Sequence, residues 1–174
     1  ASLQVLDRLL KSLRDEQQVD LFHRMIHSLA HREINGHLVQ LCSIDLEDQV
    51  PGLAAVVEKL FEIEEPEALF AVFGFRKGPR SLIVARTSSD SVLLNKLLEP
   101  FGGGGHAQAA SALVKGQCGA VVSQMLVRYL EQTLSPAVTA AELMSRPDGL
   151  LPRATDAAAR SSRGLRSRPS VSRP

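Results

Sequence analysis

Eight consecutive residues, 68–75, carry no polar side chain, and this run limits what the chain can fold into more than any other feature. A continuous apolar run of this length is typical of a buried strand. Residues 81–87 form a second, largely apolar run, and Lys77-Gly78-Pro79 interrupts the apolar sequence between the two. Two strands joined by so short a turn predict a β-hairpin.

Apolar residues at helical spacing predict helices on both sides of this hairpin in the sequence. The predicted helices cover residues 3–14, 16–29, 52–64, 91–98 and 119–134, and further strands cover residues 37–44 and 107–114. The order of these elements predicts an α/β fold in which helices flank a mixed β-sheet. A domain of about 130 residues is large enough to bury one core.

Several local signals mark where the predicted helices begin and end. Asp15 and Gln18 fit a capping box at the start of the second helix, and Asn35-Gly36 predicts a turn after it. Asp90 or Ser91 is expected to cap the fourth helix. Pro100 is expected to end that helix, because proline cannot continue it.

The charges are distributed unevenly along the chain. Residues 147–174 carry six of its 20 basic residues and two of its 19 acidic residues. That segment is rich in Arg, Ser and Pro and has no apolar period, so we predict that residues 148–174 are disordered. The remainder, which holds more acidic than basic residues, is expected to form the folded part.

Neither the apolar content nor the cysteines indicate a membrane or secreted protein. No run of about 18 apolar residues is present, and no basic segment precedes an apolar one at the start of the sequence. Cys42 and Cys118 lie too far apart in sequence for a zinc-binding spacing or a disulfide framework. We therefore expect a cytoplasmic protein without membrane contact, in which both cysteines are buried free thiols.

Four consecutive glycines, 102–105, precede His106 and predict an anion site. Glycines permit positive φ angles and a close approach of a ligand to the backbone, and consecutive free amides can bind an anion. A P-loop requires Lys-Ser/Thr after the glycines, where this chain has His106-Ala107. A dinucleotide fingerprint must follow a strand, whereas a predicted helix precedes this loop. A flexible loop with a solvated His106 remains the alternative.

The segment from Phe101 to Ser111 reads Phe-Gly-Gly-Gly-Gly-His-Ala-Gln-Ala-Ala-Ser and resembles the Gly-Gly-Gly-His…Ala-Ala signature of the DHH-associated domain. Upstream, Ile-Val-Ala-Arg-Thr-Ser at 83–88 is similar to the strand-end arginine of that family and its hydroxyl residues. The resemblance implies a substrate-binding DHH-associated domain at residues 34–134. Residues 1–33 would then be the helices that connect it to a catalytic domain.

The resemblance also implies roles for individual residues. His106 and Arg86 would contact a substrate phosphate, Gly103, Gly104 and Gly105 would offer backbone amides, and Thr87 and Ser88 would be accessory. The implied ligand is a single-stranded nucleic acid or a small nucleotide, and a homodimer is a possible assembly.

The chain departs from the family pattern in its catalytic motifs. It contains neither Asp-His-His nor His-x-x-x-Asp-x-Asp, which such phosphoesterases use to hold two metal ions. We therefore assign no catalytic residue, no metal ligand and no cofactor to this chain. Manganese (or magnesium) is expected on a preceding DHH catalytic domain of the parent chain.

Residues 136–147 resemble the opening of a CBS domain, so residues 135–147 are interpreted as a truncated CBS-like segment. A DHH-type module followed by CBS resembles the order in some bacterial tRNA nucleotidyltransferases or poly(A) polymerases. The expected function is phosphate binding within a phosphoesterase. The alternative is an accessory module in tRNA 3′-end processing.

Three further groups of polar residues stand out, and the first two could bind a cation. His23, His27 and His31 have the spacing of one helix face, Asp45, Glu47 and Asp48 follow the first predicted strand, and residues 62–67 contain four glutamates. Each group lacks the ligand spacing of a known metal motif. We interpret all three as solvated or helix-packing faces.

Overall fold

The predicted hairpin lies at the centre of the sheet in the computed structural model, which describes residues 15–136. The sheet has six strands: β1 (Ala30–Ile34), β2 (His37–Leu46), β3 (Ala68–Phe75), β4 (Arg80–Thr87), β5 (Gly104–Gly105) and β6 (Ala109–Lys115). Four α-helices accompany it: α1 (Glu16–Ser28), α2 (Leu53–Glu64), α3 (Leu94–Leu97) and α4 (Gly119–Thr133), with a 3₁₀ turn at Glu99–Phe101. The predicted α/β class with a mixed sheet is confirmed.

The strands are arranged in the order β1-β2-β3-β4-β6-β5. Only β2 and β3 are parallel, and helix α2 makes the connection that a parallel pair requires. All eight residues of β3 are buried, as expected for a central strand with helices on both faces.

Two apolar cores lie on the two faces of the sheet. Helices α3 and α4 cover one face, where Phe70, Ile83 and Leu126 are fully buried. Helices α1 and α2 cover the other face, where Phe22, Leu60 and Phe73 are fully buried. This second face, here called the α2 face, also carries the side chain of Arg86, because residues alternate between the faces along β4.

Strand β1 is absent from the prediction, which placed connector helices up to residue 33. Its residues 31–33, His-Arg-Glu, are polar and exposed, so their composition does not indicate a strand. The strand forms because the Asn35-Gly36 turn folds it onto β2, with φ angles of 52° and 83° at the two turn residues. Positive φ at both positions matches the twist of an antiparallel hairpin.

Two of the predicted helix ends are wrong in detail. Asp15 does cap α1 and accepts a hydrogen bond from the Gln17 amide, but the Gln18 side chain donates to the Pro51 carbonyl instead of completing a capping box. Helix α3 is a single turn capped by Leu93 without a side-chain hydrogen bond.

The residues expected to cap and end that helix have other roles. The Ser91 hydroxyl pairs with the Ser89 hydroxyl. Pro100 lies within the 3₁₀ turn that extends the helix.

The C-terminal end of α4 is tied to the β1–β2 turn by polar contacts from one exposed and one buried residue. Asn35 donates through Nδ2 to the carbonyls of Glu131 and Leu134. His37 is only 1% exposed; its Nδ1 lies 2.5 Å from Glu67 Oε1 and its Nε2 lies 2.7 Å from the Ser135 carbonyl. Both ring nitrogens thus lie within hydrogen-bond distance of an oxygen atom.

The substitution His37→Leu is expected to lower the free energy of unfolding by about 2–3 kcal/mol, because it removes the buried imidazole contacts to Glu67 Oε1 and to the Ser135 carbonyl, while Glu67 Oε2 keeps its bond from the Leu38 amide. Urea denaturation followed by circular dichroism measures this change. The exposed His27 provides a matched control, and His27→Leu should shift stability by less than about 0.5 kcal/mol. Equal stability of the two variants would contradict a structural role for His37.

The two cysteines differ in environment, so the prediction that both are buried is wrong for one of them. Cys42 is buried, and burial raises the pKa of its thiol to about 12. Cys118 is exposed and is the residue that directly precedes α4.

A maleimide reagent should therefore label one thiol of the folded chain, at Cys118, and both thiols after unfolding. The thiolate is the reactive form, and burial keeps Cys42 both protonated and inaccessible. Mass spectrometry counts the labels. Rapid labelling of Cys42 in the folded chain would contradict the placement of β2 in the core.

Some predictions lie outside the described residues: the helix at 3–14, nearly all of the CBS-like segment and the tail at 148–174. Among the helices of residues 15–136, none has the length and apolar character that crossing a membrane requires.

Candidate functional site

The register of three strands brings Arg86 and His106 to one face of the sheet. Arg86 in β4 lies opposite Ala109 in β6. On the other side of β6, the His106 amide donates to the Ala109 carbonyl at 2.8 Å. Directly opposed residues of antiparallel strands point to the same face, so Arg86 and His106 flank Ala109 there. Their backbones lie about 10 Å apart, which is two strand spacings.

Small residues form the floor between these two side chains. Gly104 lies opposite Ser111, and Ser111 lies opposite Val84, so the three share the α2 face with Ala109. Helix α2 does not cover this part of the sheet, since Ser111 is exposed and Leu113 is 46% exposed to solvent. We call the surface bounded by Arg86, His106, Gly104 and Ser111 the Arg86–His106 face.

Three of the four glycines are required by the backbone or by packing. Gly102 has φ 73° where the 3₁₀ turn ends. A Cβ at Gly103 would lie 2.6 Å from the Ser111 carbonyl oxygen, and a Cβ at Gly105 would lie 2.5 Å from that of Ala109. Both distances are shorter than real Cβ atoms show, so β5 can approach β6 only with glycine at these positions.

Gly104 has no such requirement. Its φ lies outside the left-handed region, and a Cβ built on it meets no atom within 4 Å. That Cβ would project from the Arg86–His106 face, because Gly104 shares the side of Ser111. Glycine here leaves open a space that nothing in the described part of the chain fills.

The predicted nest of three free amides is not formed. The Gly103 amide already donates to the Leu98 carbonyl. Hydrogen-bonded pairs alternate along an antiparallel ladder, so the His106–Ala109 bond makes Gly104–Ser111 the next bonded pair. The amides of Gly103 and Gly105 both point away from β6, but that of Gly103 is used by Leu98, which leaves the Gly105 amide directed off the edge of the sheet.

Arg86 is held by a partner that sequence reasoning missed. Its Nε donates to Glu58 Oε2 at 2.5 Å and its Nη1 donates to the Ala85 carbonyl at 2.8 Å. The Arg86 side chain is 16% exposed and that of Glu58 is 46% exposed.

The sequence has no carboxylate between Glu99 and Glu131, which would suggest that none competes with an anion at the loop. The fold brings one to this face all the same, because Glu58, 28 residues from Arg86, reaches it from α2. Asp90 is a second carboxylate near the loop, and it accepts from Gln108 Nε2 at 3.5 Å. Neither contact has a signal in the local sequence.

The two accessory residues are placed differently from each other. Thr87 alternates to the opposite face, is 4% exposed and donates to the Glu67 carbonyl, so it is not placed to contact a ligand. Ser88 is exposed, and its amide donates to the same carbonyl. Ser111 was not predicted as a site residue, although it ends the motif that carries the resemblance.

The other polar groups do not form a metal centre. His23 and His27 are exposed on α1, but His31 lies on β1 beside Gln40, so the three histidines do not share a helix face. Glu47 and Asp48 pair with Arg76 and Lys77. The Gln49 amide and Lys77 hold the pKa of Asp48 below its usual range. Across residues 15–136, no three His, Cys, Asp or Glu side chains are placed to hold a metal ion.

Alanine substitutions should separate the glycines. Gly103→Ala and Gly105→Ala are expected to destabilise the fold by about 1–3 kcal/mol, because the added methyl group overlaps the β6 backbone. Gly104→Ala should leave stability unchanged or raise it by up to about 1 kcal/mol, since the unfolded chain loses conformational freedom. Thermal melting curves of the three variants test this order. A Gly104 variant as unstable as the other two would contradict the open space at this residue.

The sequence is similar to part of two curated proteins. The A-adding tRNA nucleotidyltransferase of Geobacter sulfurreducens is 32% identical over 155 residues, which are 89% of this chain and 17% of that protein. The protein of the same name from Aquifex aeolicus is 20% identical over 67% of this chain and 14% of its own length. This chain thus spans less than a fifth of the relatives that it matches. No family model matches it.

A solved structure supports the fold. An exopolyphosphatase-related protein from Bacteroides fragilis superposes with a TM-score of 0.51 at 20% identity, over 69% of this chain and 34% of that chain. The chain thus shares its fold with a part of an exopolyphosphatase-related protein and its sequence with a segment of A-adding tRNA nucleotidyltransferases, both in keeping with the resemblance to the DHH-associated domain.

Proposed function

We propose that this chain binds phosphate groups of a nucleotide or a single-stranded nucleic acid on its Arg86–His106 face. The observation that carries the proposal is Gly104, the one glycine of the loop for which neither φ nor packing gives a reason. Glycine at such a position suits a ligand that approaches the backbone closely. The residues around it supply donors rather than an apolar pocket.

The donors on this face fit a phosphate. Arg86 uses two of its five N–H groups on Glu58 and Ala85, which leaves three for a ligand. His106 and the Ser111 hydroxyl are exposed, and the Gly105 amide points off the sheet edge nearby. A guanidinium remains charged at any working pH, and its bonds to phosphate are charge-assisted.

The reaction of the parent protein lies beyond these residues. In our proposal, a preceding DHH catalytic domain carries the manganese or magnesium ions and hydrolyses phosphoesters, while this chain holds the substrate. The described residues do not fit a metal centre, so we derive no step through such ions. The proposal places the protein in the cytoplasm and leaves a homodimer as its candidate assembly.

A second candidate is an accessory module of a tRNA nucleotidyltransferase that acts at the tRNA 3′ end. The similarity to the Geobacter sulfurreducens protein over 89% of this chain favours it. The two candidates use the same phosphate-binding face but differ in ligand. Preference for a tRNA acceptor stem over an unrelated single strand of equal length would favour the second.

Replacing His106 or Arg86 with alanine should weaken phosphate binding by about 1–3 kcal/mol, the range for a charge-assisted hydrogen bond. NMR titration of the ¹⁵N-labelled full chain with a short single-stranded oligonucleotide measures the change. Shifts of the amides at 103–111 locate the ligand.

Arg76→Ala is the matched control, because Arg76 is an exposed arginine that pairs with Glu47 outside the Arg86–His106 face. It removes the same charge and should leave the affinity within about twofold of wild type, since charges beyond a Debye length are screened. Equal losses in the Arg76 and Arg86 variants would indicate general charge attraction and contradict the proposed site.

A further inference from the structure

We propose that Glu58 tunes the Arg86–His106 face to singly charged phosphodiesters, by cancelling the advantage that a doubly charged terminal phosphate has at an arginine. This inference rests on the proposed function and adds the class of phosphate. An internal phosphodiester carries one negative charge. A terminal phosphomonoester carries between about 1.5 and 2 negative charges at neutral pH.

The contact geometry gives Glu58 direct access to the ligand-binding guanidinium. Glu58 accepts from Nε of Arg86 at 2.5 Å, while the Ala85 carbonyl accepts from Nη1. These two bonds leave the Nη2 end of the guanidinium for a ligand. A phosphate bound there lies about 6 Å from the Glu58 carboxylate, because the two are held by different nitrogens of the guanidinium through hydrogen bonds of about 3 Å each.

The charges around the face do not favour a dianion. The positive charge of Arg86 is matched by the negative charge of Glu58. Asp90 adds a second negative charge near the turn between β5 and β6, where it accepts a hydrogen bond from Gln108. A ligand with two charges meets twice the repulsion that a ligand with one charge meets. The hydrogen-bond donors remain equally available to both ligands, so Glu58 lowers the affinity of the face for the diester less than its affinity for the monoester.

Glu58 is not needed to bury a charge. Its side chain is 46% exposed, so water already solvates the carboxylate, and the Arg86 guanidinium has a second acceptor in Ala85. Because the carboxylate end of the pair is solvated and glutamine can still accept from Arg86, the loss of the Glu58 charge should change stability little. The effect of its charge on ligand choice can therefore be measured separately from folding.

The substitution Glu58→Gln tests the inference, because glutamine keeps the oxygen that accepts from Arg86 and removes the charge. Two probes differ only in one methyl group and one charge: adenosine 5′-phosphate and its phosphate methyl ester. At about pH 8 the monoester is fully ionised, since its second pKa is about 6. NMR titration of the full chain gives the dissociation constant of each probe. Glu62→Gln on the same helix, where Glu62 pairs with Lys59, is the matched control.

In the wild-type chain we expect the methyl ester and adenosine 5′-phosphate to bind within about twofold of each other, because the repulsion from Glu58 nearly offsets the attraction of the second charge to Arg86. One charge at about 6 Å in a nearly aqueous environment changes a dissociation constant about threefold. Glu58→Gln should therefore tighten binding of the ester about threefold and of adenosine 5′-phosphate about tenfold. The Glu62 variant should behave as wild type.

Two results would overturn the inference, and they differ in what they reject. Equal gains for both probes in Glu58→Gln, or a wild-type chain that prefers adenosine 5′-phosphate about tenfold, reject the selectivity and leave the phosphate site intact. Absence of amide shifts at 103–111 with either probe, in both wild type and Glu58→Gln, rejects the proposed function and the selectivity together.

Discussion

The antiparallel register of β6 between β4 and β5 is the constraint on which the candidate site depends. It places Ala109 between Arg86 and the His106 backbone and sets all three on the face that α2 leaves open. A slip by one residue would turn every side chain of β6 to the other face. This register requires glycine at positions 103 and 105, because a side chain at either position would overlap the β6 backbone.

The arginine of this face belongs to both the sheet and the helix layer. Its backbone is fixed by β3 and β6 on either side, and its side chain is oriented by Glu58 of α2. Helix α2, which connects the parallel strands β2 and β3, therefore also carries Glu58, whose carboxylate reduces the positive charge of the face. In this account, affinity for phosphate comes from directed hydrogen-bond donors more than from net charge.

Local patterns predicted much of the fold and only part of the site. The apolar runs gave the central hairpin, and the Gly-His segment pointed to the loop that approaches Arg86. Strand β1 was missed because its residues are exposed and polar and only pairing with β2 makes them a strand. The capping box failed because Pro51, distant in sequence, offered Gln18 a competing acceptor. Glu58 and Asp90 could not be found, since nothing local marks a contact between distant segments.

The most direct test of the central claim is a crystal structure of this chain with the phosphate methyl ester of adenosine 5′-phosphate. The account predicts the phosphate over Gly104, with oxygens within hydrogen-bond distance of the Nη atoms of Arg86 and of the His106 ring. Phosphate density elsewhere on the sheet, with Gly104 unapproached, would contradict it. So would an Arg86 and a His106 whose side chains point to opposite faces of the sheet.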